Sequence, residues 1–236
     1  MSTEAKLNIE GNRLFAGGIE LDWPAIEISV GGEIANIVAA DAPMIDHQKV
    51  SQKFTADSLQ ITVSISELPG RFVKRVEISS EKDLPTPDYV DVDIQTIPDP
   101  KLSRRGYIAT GAAPKRQGAE EEGGGLMPGC GYPLIGQRFF VGLEHQAAFS
   151  KLEEQNDQSS NYRLRHYPQW CGQKLESVDA IFGVSLNPEE AFHDYLDEIR
   201  LPTLKKPLFS FCSFWSDPYI GNYEYEVNAE NYLSFV

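Results

Sequence analysis

Residues Leu59-Gln60-Ile61-Thr62-Val63-Ser64-Ile65-Ser66 alternate apolar and polar without a break. A side-chain period of two marks a strand with one covered face and one open face; a helix would repeat its apolar positions every three or four residues. The pattern recurs through the N-terminal part of the chain. Ile26, Ile28 and Val30 alternate with Glu27 and Ser29, and Val90, Val92 and Ile94 stand opposite Asp91, Asp93 and Gln95. Phe72–Ile78 reads as another strand. Arg13–Ala16 and Ile19–Trp23 flank a Gly17-Gly18 turn, and Ala25–Val30 and Ile34–Val38 flank Gly31-Gly32. Short strands separated by glycine and proline, with no helical pattern between them, imply a mainly β, antiparallel sandwich. The charged alternate positions predict that one face of each sheet is wet.

Further along, Gly136–His145, Tyr162–Tyr167 and Lys174–Val184 also read as strands. Between the two β-rich regions, residues 106–136 hold nine of the nineteen glycines and contain neither G-x-G-x-x-G nor a phosphate-binding loop. A connection of that length in a compact domain is a candidate functional loop. The pattern changes at Asn187-Pro188-Glu189-Glu190, where a good N-cap precedes a good first helical residue and acids fill the first turn. Apolar residues at Ala191, Phe192, Tyr195, Leu196 and Ile199 predict an amphipathic helix over 188–200, ended by Pro202. Leu208–Trp215 is then nearly continuous in apolar residues, which suits a strand buried on both faces in a parallel barrel. A loop over 216–223 and a capped helical segment at 228–236 complete one βα unit. The expected organisation is a β-sandwich over 1–186, a linker helix over 187–204 and the opening of an incomplete β/α (TIM) barrel over 205–236.

Charge and cysteine usage narrow the function. Asp plus Glu number 35 against 21 Lys plus Arg, a net charge of −14. Nucleic-acid binding needs clustered cations to displace counterions, so a nucleic-acid partner is not expected, and neither is an anionic membrane surface. A neutral ligand such as a carbohydrate is compatible with this balance. No apolar run approaches the roughly 20 residues of a membrane helix. The N-terminus lacks a basic segment followed by an apolar one, which reads as a cytoplasmic protein or a processed N-terminus. Cys130, Cys171 and Cys212 are odd in number and have no C-x-x-C spacing. They imply neither a disulfide framework nor a zinc site. His47, His166 and His193 show no metal-ligand spacing, so no metal or cofactor is expected.

Two places carry candidate binding chemistry. In the loop after the apolar strand, Trp215 can stack on a sugar face, Asp217 can accept hydrogen bonds from two hydroxyls, and Tyr219 can do some of both. At the end of the Gly136–His145 strand, Glu144 and His145 are an acid and a base side by side. Neighbours on a strand point to opposite faces, so the two are not expected to act together on one ligand.

From Gly136 onward the chain resembles the melibiase-like, alpha-galactosidase-type glycoside hydrolases. Gly136-Gln137-Arg138-Phe139-Phe140-Val141-Gly142-Leu143-Glu144-His145 is similar to their G-Q-x-F-F-x-G-L-E-H-P segment, with Gln146 in place of the proline. Leu175–Val184 resembles their last sandwich strand. Phe192–Arg200 resembles the helix that leads into the barrel. Phe209–Asp217 resembles the first barrel strand, with Cys212 or Ser213 where an asparagine is usual. The resemblance implies a large galactose mutarotase-like β-supersandwich at the N-terminus, packed on the chain's own catalytic barrel, which would lie beyond Val236. It implies a supporting, noncatalytic role in shaping a pocket for alpha-linked sugars, with the catalytic carboxylates in the barrel. The glycine-rich stretch is then the candidate for a loop lent to that pocket. A stand-alone carbohydrate-binding or mutarotase-like domain, and a purely structural sandwich, remain alternatives from the residues alone.

Overall fold

The computed structural model describes residues 6–10, 13–83, 86–104, 133–144, 149–168 and 172–199. The chain starts with an antiparallel three-stranded sheet of β1 (Leu7–Glu10), β2 (Arg13–Ala16) and β3 (Ile19–Leu21). Gly17 and Gly18 join β2 to β3 with φ of 58° and 82°. A two-residue turn that matches strand twist needs positive φ at both central positions, where a side chain is strained. Gly31 and Gly32, at φ 62° and 83°, join β4 (Glu27–Val30) to β5 (Glu33–Ile34) in the same way.

The segment read as one strand, Ile34–Val38, is divided. Ile34 ends β5, which pairs with β4, whereas β6 (Val38–Ala39) pairs with β8 (Lys49–Ala56) in the other large sheet. The chain crosses between layers here, so neither fragment keeps a partner for long. β7 (Met44–Asp46) also pairs with β8. β9 (Leu59–Leu68) and β10 (Arg71–Ser79) follow in register from Leu68↔Arg71 to Gln60↔Ser79.

β11 (Tyr89–Ile97), β12 (Ser103–Arg104), β13 (Leu134–Ile135), β14 (Phe139–Leu143), β15 (Phe149–Gln155) and β16 (Ser160–His166) come next. Lys174–Val184 is two strands, β17 (Lys174–Glu176) and β18 (Ala180–Val184). Both pair with β10, at Glu77–Ser79 and at Phe72–Lys74. Between them Ser177 keeps the ladder intact: its N–H donates to the Val76 carbonyl at 2.8 Å, and its hydroxyl oxygen accepts from the Val76 N–H at 3.0 Å.

Among the described residues, the large sheet has ten strands in the order β12-β13-β14-β18-β10-β9-β8-β6, with β17 on β10 and β7 on β8. The second sheet has five strands in the order β15-β16-β11-β4-β5. Every described pairing is antiparallel. The inner faces meet in one core. Ile61, Val63, Ile65, Phe72, Val76 and Phe182 from the large sheet pack with Val90, Ile97, Tyr162 and Leu164 from the other. Phe72 stacks on Phe182 with centroids 5.2 Å apart, and Phe139 reaches Tyr162 across the layers at 6.1 Å. Removing this apolar surface from water supplies the main drive for the two sheets to associate.

The expectation that alternate polar residues face water fails at several positions, among them four on β10 and β11. Lys74, Asp91, Asp93 and Gln95 are all buried. A β-bulge between Asp91 and Asp93 turns β11 over, so that Asp93 points into the sandwich and Asp91 to its outer side. Inside, the Lys74 ammonium (0% exposed) sits 2.6 Å from the Asp93 carboxylate (2% exposed). Tyr162 donates its hydroxyl to Asp93 at 2.7 Å, Gln95 donates to it at 3.0 Å, and Lys74 also donates to the Ala25 carbonyl at 3.1 Å. Burial pushes the Lys74 pKa down against the pull of Asp93, and pushes the Tyr162 hydroxyl well up. Outside, Arg165 grips Asp91 through two bonds of 2.7 and 3.0 Å, and its guanidinium lies 3.4 Å from the Tyr89 ring centroid. Arg163 also bonds Asp91. Buried charges persist because each is paired and hydrogen-bonded.

The helix predicted over 188–200 is present as α1 (Pro188–Ile199). Asn187 caps it: its amide donates to the Glu190 carboxylate at 2.7 Å, and its carbonyl oxygen accepts from the Glu190 N–H at 3.5 Å. Phe192 and Tyr195 are buried against Ile135, Phe140 and Ile181 on the outer face of the ten-stranded sheet. Phe140 and Phe192 meet edge-on at 5.7 Å. No described helix is long and apolar enough to cross a membrane.

Candidate functional site

The outward residues of β8, β9 and β10 form the floor of a groove of about 330 Å³ on the same face that α1 covers in part. Strand register sets who stands beside whom. Ser66 lies directly between Lys49 on β8 and Val73 on β10, and Ser64 lies opposite Arg75. Neighbouring strands are about 4.8 Å apart, so these side chains form one contiguous surface.

The walls are held by ion pairs and hydrogen bonds. Arg75 binds Asp179 through two bonds, of 2.6 and 2.7 Å, which raise its already high pKa. Arg71 reaches Glu198 of α1 at 2.5 Å and lies over the Tyr195 ring, 5.2 Å from its centroid. Glu77 faces Lys174 at 3.2 Å. Tyr195 donates its hydroxyl to Glu144. Burial, with the Glu144 bond added to it, pushes the Tyr195 pKa far up, so the phenol stays a proton donor at any physiological pH. Each lining carboxylate, Glu77, Glu144 and Asp179, thus already has a fixed donor.

Of the residues expected to contact a sugar, Glu144 lines this groove, just past the end of β14. Its contact with Tyr195 ties the strand exit to the helix. His145, Trp215, Asp217 and Tyr219 lie outside the described residues, as do the barrel-like segment 205–236 and residues 106–132 of the glycine-rich stretch. Lys49, Ser64, Ser66, Arg71, Arg75 and Asp179 were not marked out by any motif. Their only signal is that several occupy the outward half of a period-two run, which says that they are exposed but not that they are together.

A second cavity of similar size is mainly apolar, with Leu14, Trp23, Pro43, Ile45 and Val50 in its wall. The Trp23 indole N–H is fixed to Gln52 at 2.5 Å. Among the described residues no group of His, Cys, Asp or Glu side chains is placed to hold a metal ion.

The chain matches no protein-family model and no curated protein. Among solved structures it is similar to the GH36 alpha-galactosidase AgaB from Geobacillus stearothermophilus, at 7% identity and a TM-score of 0.41, over 72% of this chain and 31% of that one. It is also similar to a GH31 family sulfoquinovosidase from E. rectale, solved with an aza-sugar inhibitor, at 9% identity and a TM-score of 0.37, over 76% of this chain and 32% of that one. The chain spans about a third of the length of each.

Proposed function

We propose that this chain is a noncatalytic carbohydrate-binding β-sandwich module that supports a glycoside hydrolase acting on alpha-linked sugars. The groove on the ten-stranded sheet holds part of the sugar. Residues 205–236 open a β/α barrel, and bond cleavage belongs to carboxylates of that barrel.

One observation supports this reading above the others. Three segments that resemble the melibiase-like hydrolases, Gly136–His145, Leu175–Val184 and Phe192–Arg200, have described parts that meet around one groove. β14 and β18 pair directly, α1 packs on both through Phe140, Ile181 and Phe192, and Glu144, Asp179 and Ile181 line the cavity.

Calorimetric titration of the chain with methyl α-D-galactopyranoside tests the proposal. A shallow polar groove is expected to bind with a Kd on the order of 1 mM, or about −4 kcal/mol. Arg75→Ala, which frees Asp179 into the groove, is expected to weaken that binding. Absence of binding to alpha-linked galactosides and glucosides alike contradicts the reading.

A further inference from the structure

The groove is unbalanced in its hydrogen-bonding groups. All three lining carboxylates are engaged by donors: Glu77 by Lys174, Asp179 by Arg75 and Glu144 by Tyr195. The donors are not all engaged in return. Among the described residues, the Lys49 ammonium and the Ser64 and Ser66 hydroxyls have no hydrogen-bond or ionic partner. Arg75 spends Nε and one terminal nitrogen, Nη2, on Asp179, and its other terminal nitrogen bonds no described residue. The register gathers these free groups: Lys49 is directly across from Ser66, and Arg75 is directly across from Ser64, two residues along the same strand. One cation, a second cation with spare hydrogens and two hydroxyls thus share a patch two strand spacings wide and two residues long. Such a patch answers a ligand group that offers only acceptors and carries negative charge.

We infer that the Lys49, Ser64, Ser66 and Arg75 patch is a subsite for an anionic substituent, a carboxylate or a sulfate ester, so that the sugar held here is an acidic one. The inference rests on the carbohydrate reading of the groove and names the class of sugar within it. The whole chain is strongly acidic, so a local excess of uncommitted donors on this face is what selects an anionic ligand against the general repulsion.

The test compares the full chain and its Lys49→Gln variant in calorimetric titrations at low ionic strength, with D-galacturonate, D-glucose 6-sulfate and neutral methyl α-D-galactopyranoside. Charge-assisted hydrogen bonds predict that at least one acidic sugar binds about tenfold tighter than the neutral one. Lys49→Gln, at an exposed position, is expected to erase that preference while leaving the melting temperature unchanged. Ser66→Ala is expected to reduce the preference in part. Inorganic sulfate is expected to compete with the acidic sugar. Equal affinity for acidic and neutral sugars, or a preference that survives Lys49→Gln, overturns the subsite and leaves the carbohydrate reading standing. Binding of sulfate alone with no sugar bound, or no binding of any probe, overturns both.

Discussion

Asp93→Ala is expected to destabilise the fold by about 3–5 kcal/mol, the cost of stranding a buried charge whose partner has been removed. In the native protein Asp93 accepts from Lys74, Tyr162 and Gln95 at once, with every group inside the sandwich. The substitution strips the ammonium of its counter-ion, leaving it the Ala25 carbonyl, and strips the phenol of its acceptor. Lys74, whose pKa burial already pushes down, is then expected to lose its proton rather than stay charged. Urea denaturation followed by tryptophan fluorescence measures the loss, which is a large share of the 5–15 kcal/mol typical of a domain. The double change Asp93→Leu with Lys74→Met removes both charges together and is expected to recover much of it, because a buried pair gains little over well-packed apolar residues. A loss below about 1 kcal/mol for Asp93→Ala alone, the level of an exposed pair, contradicts the buried network.

Gly183→Ala is the second large effect. Gly183 is paired with Phe140 across β18 and β14, and the Phe140 ring lies over it so closely that an added Cβ would fall 2.3 Å from a ring carbon. No rotamer of alanine relieves that contact, so the ring must move. It would move against Phe192 and loosen the seat of α1. Overpacking of this kind costs about 1–3 kcal/mol. The expected readout is a lower urea midpoint together with faster amide exchange in Pro188–Ile199 than in β9 and β10. An unchanged midpoint would mean that the ring has room that the structure does not give it.

Both sites explain how far the sequence could be read. The strands at 59–66, 72–78 and 89–97 and the helix at 188–200 are written in local periodicity, and they form within a few residues of those bounds. β8 is harder to see because Gln52 interrupts the inward series Val50, Phe54 and Ala56. The buried charges are invisible to local pattern for two reasons. The bulge between Asp91 and Asp93 shifts the phase in mid-strand, and the groups that neutralise Asp93 arrive from β10 and β16, distant in sequence. The groove has the same character. Glu144 stood out through a motif, but Ser64, Ser66, Lys49 and Arg75 become neighbours only when three strands take up their register.

Mapping amide chemical shifts of the chain during titration with methyl α-D-galactopyranoside decides whether the groove is the sugar site. Shifts are expected at Ser64, Ser66, Arg75, Glu144 and Asp179, around the surface that β9, β10, β14, β18 and α1 build together. Shifts gathered instead around Trp23 and the apolar cavity beside it, with the ten-stranded sheet's outer face silent, would contradict that assignment.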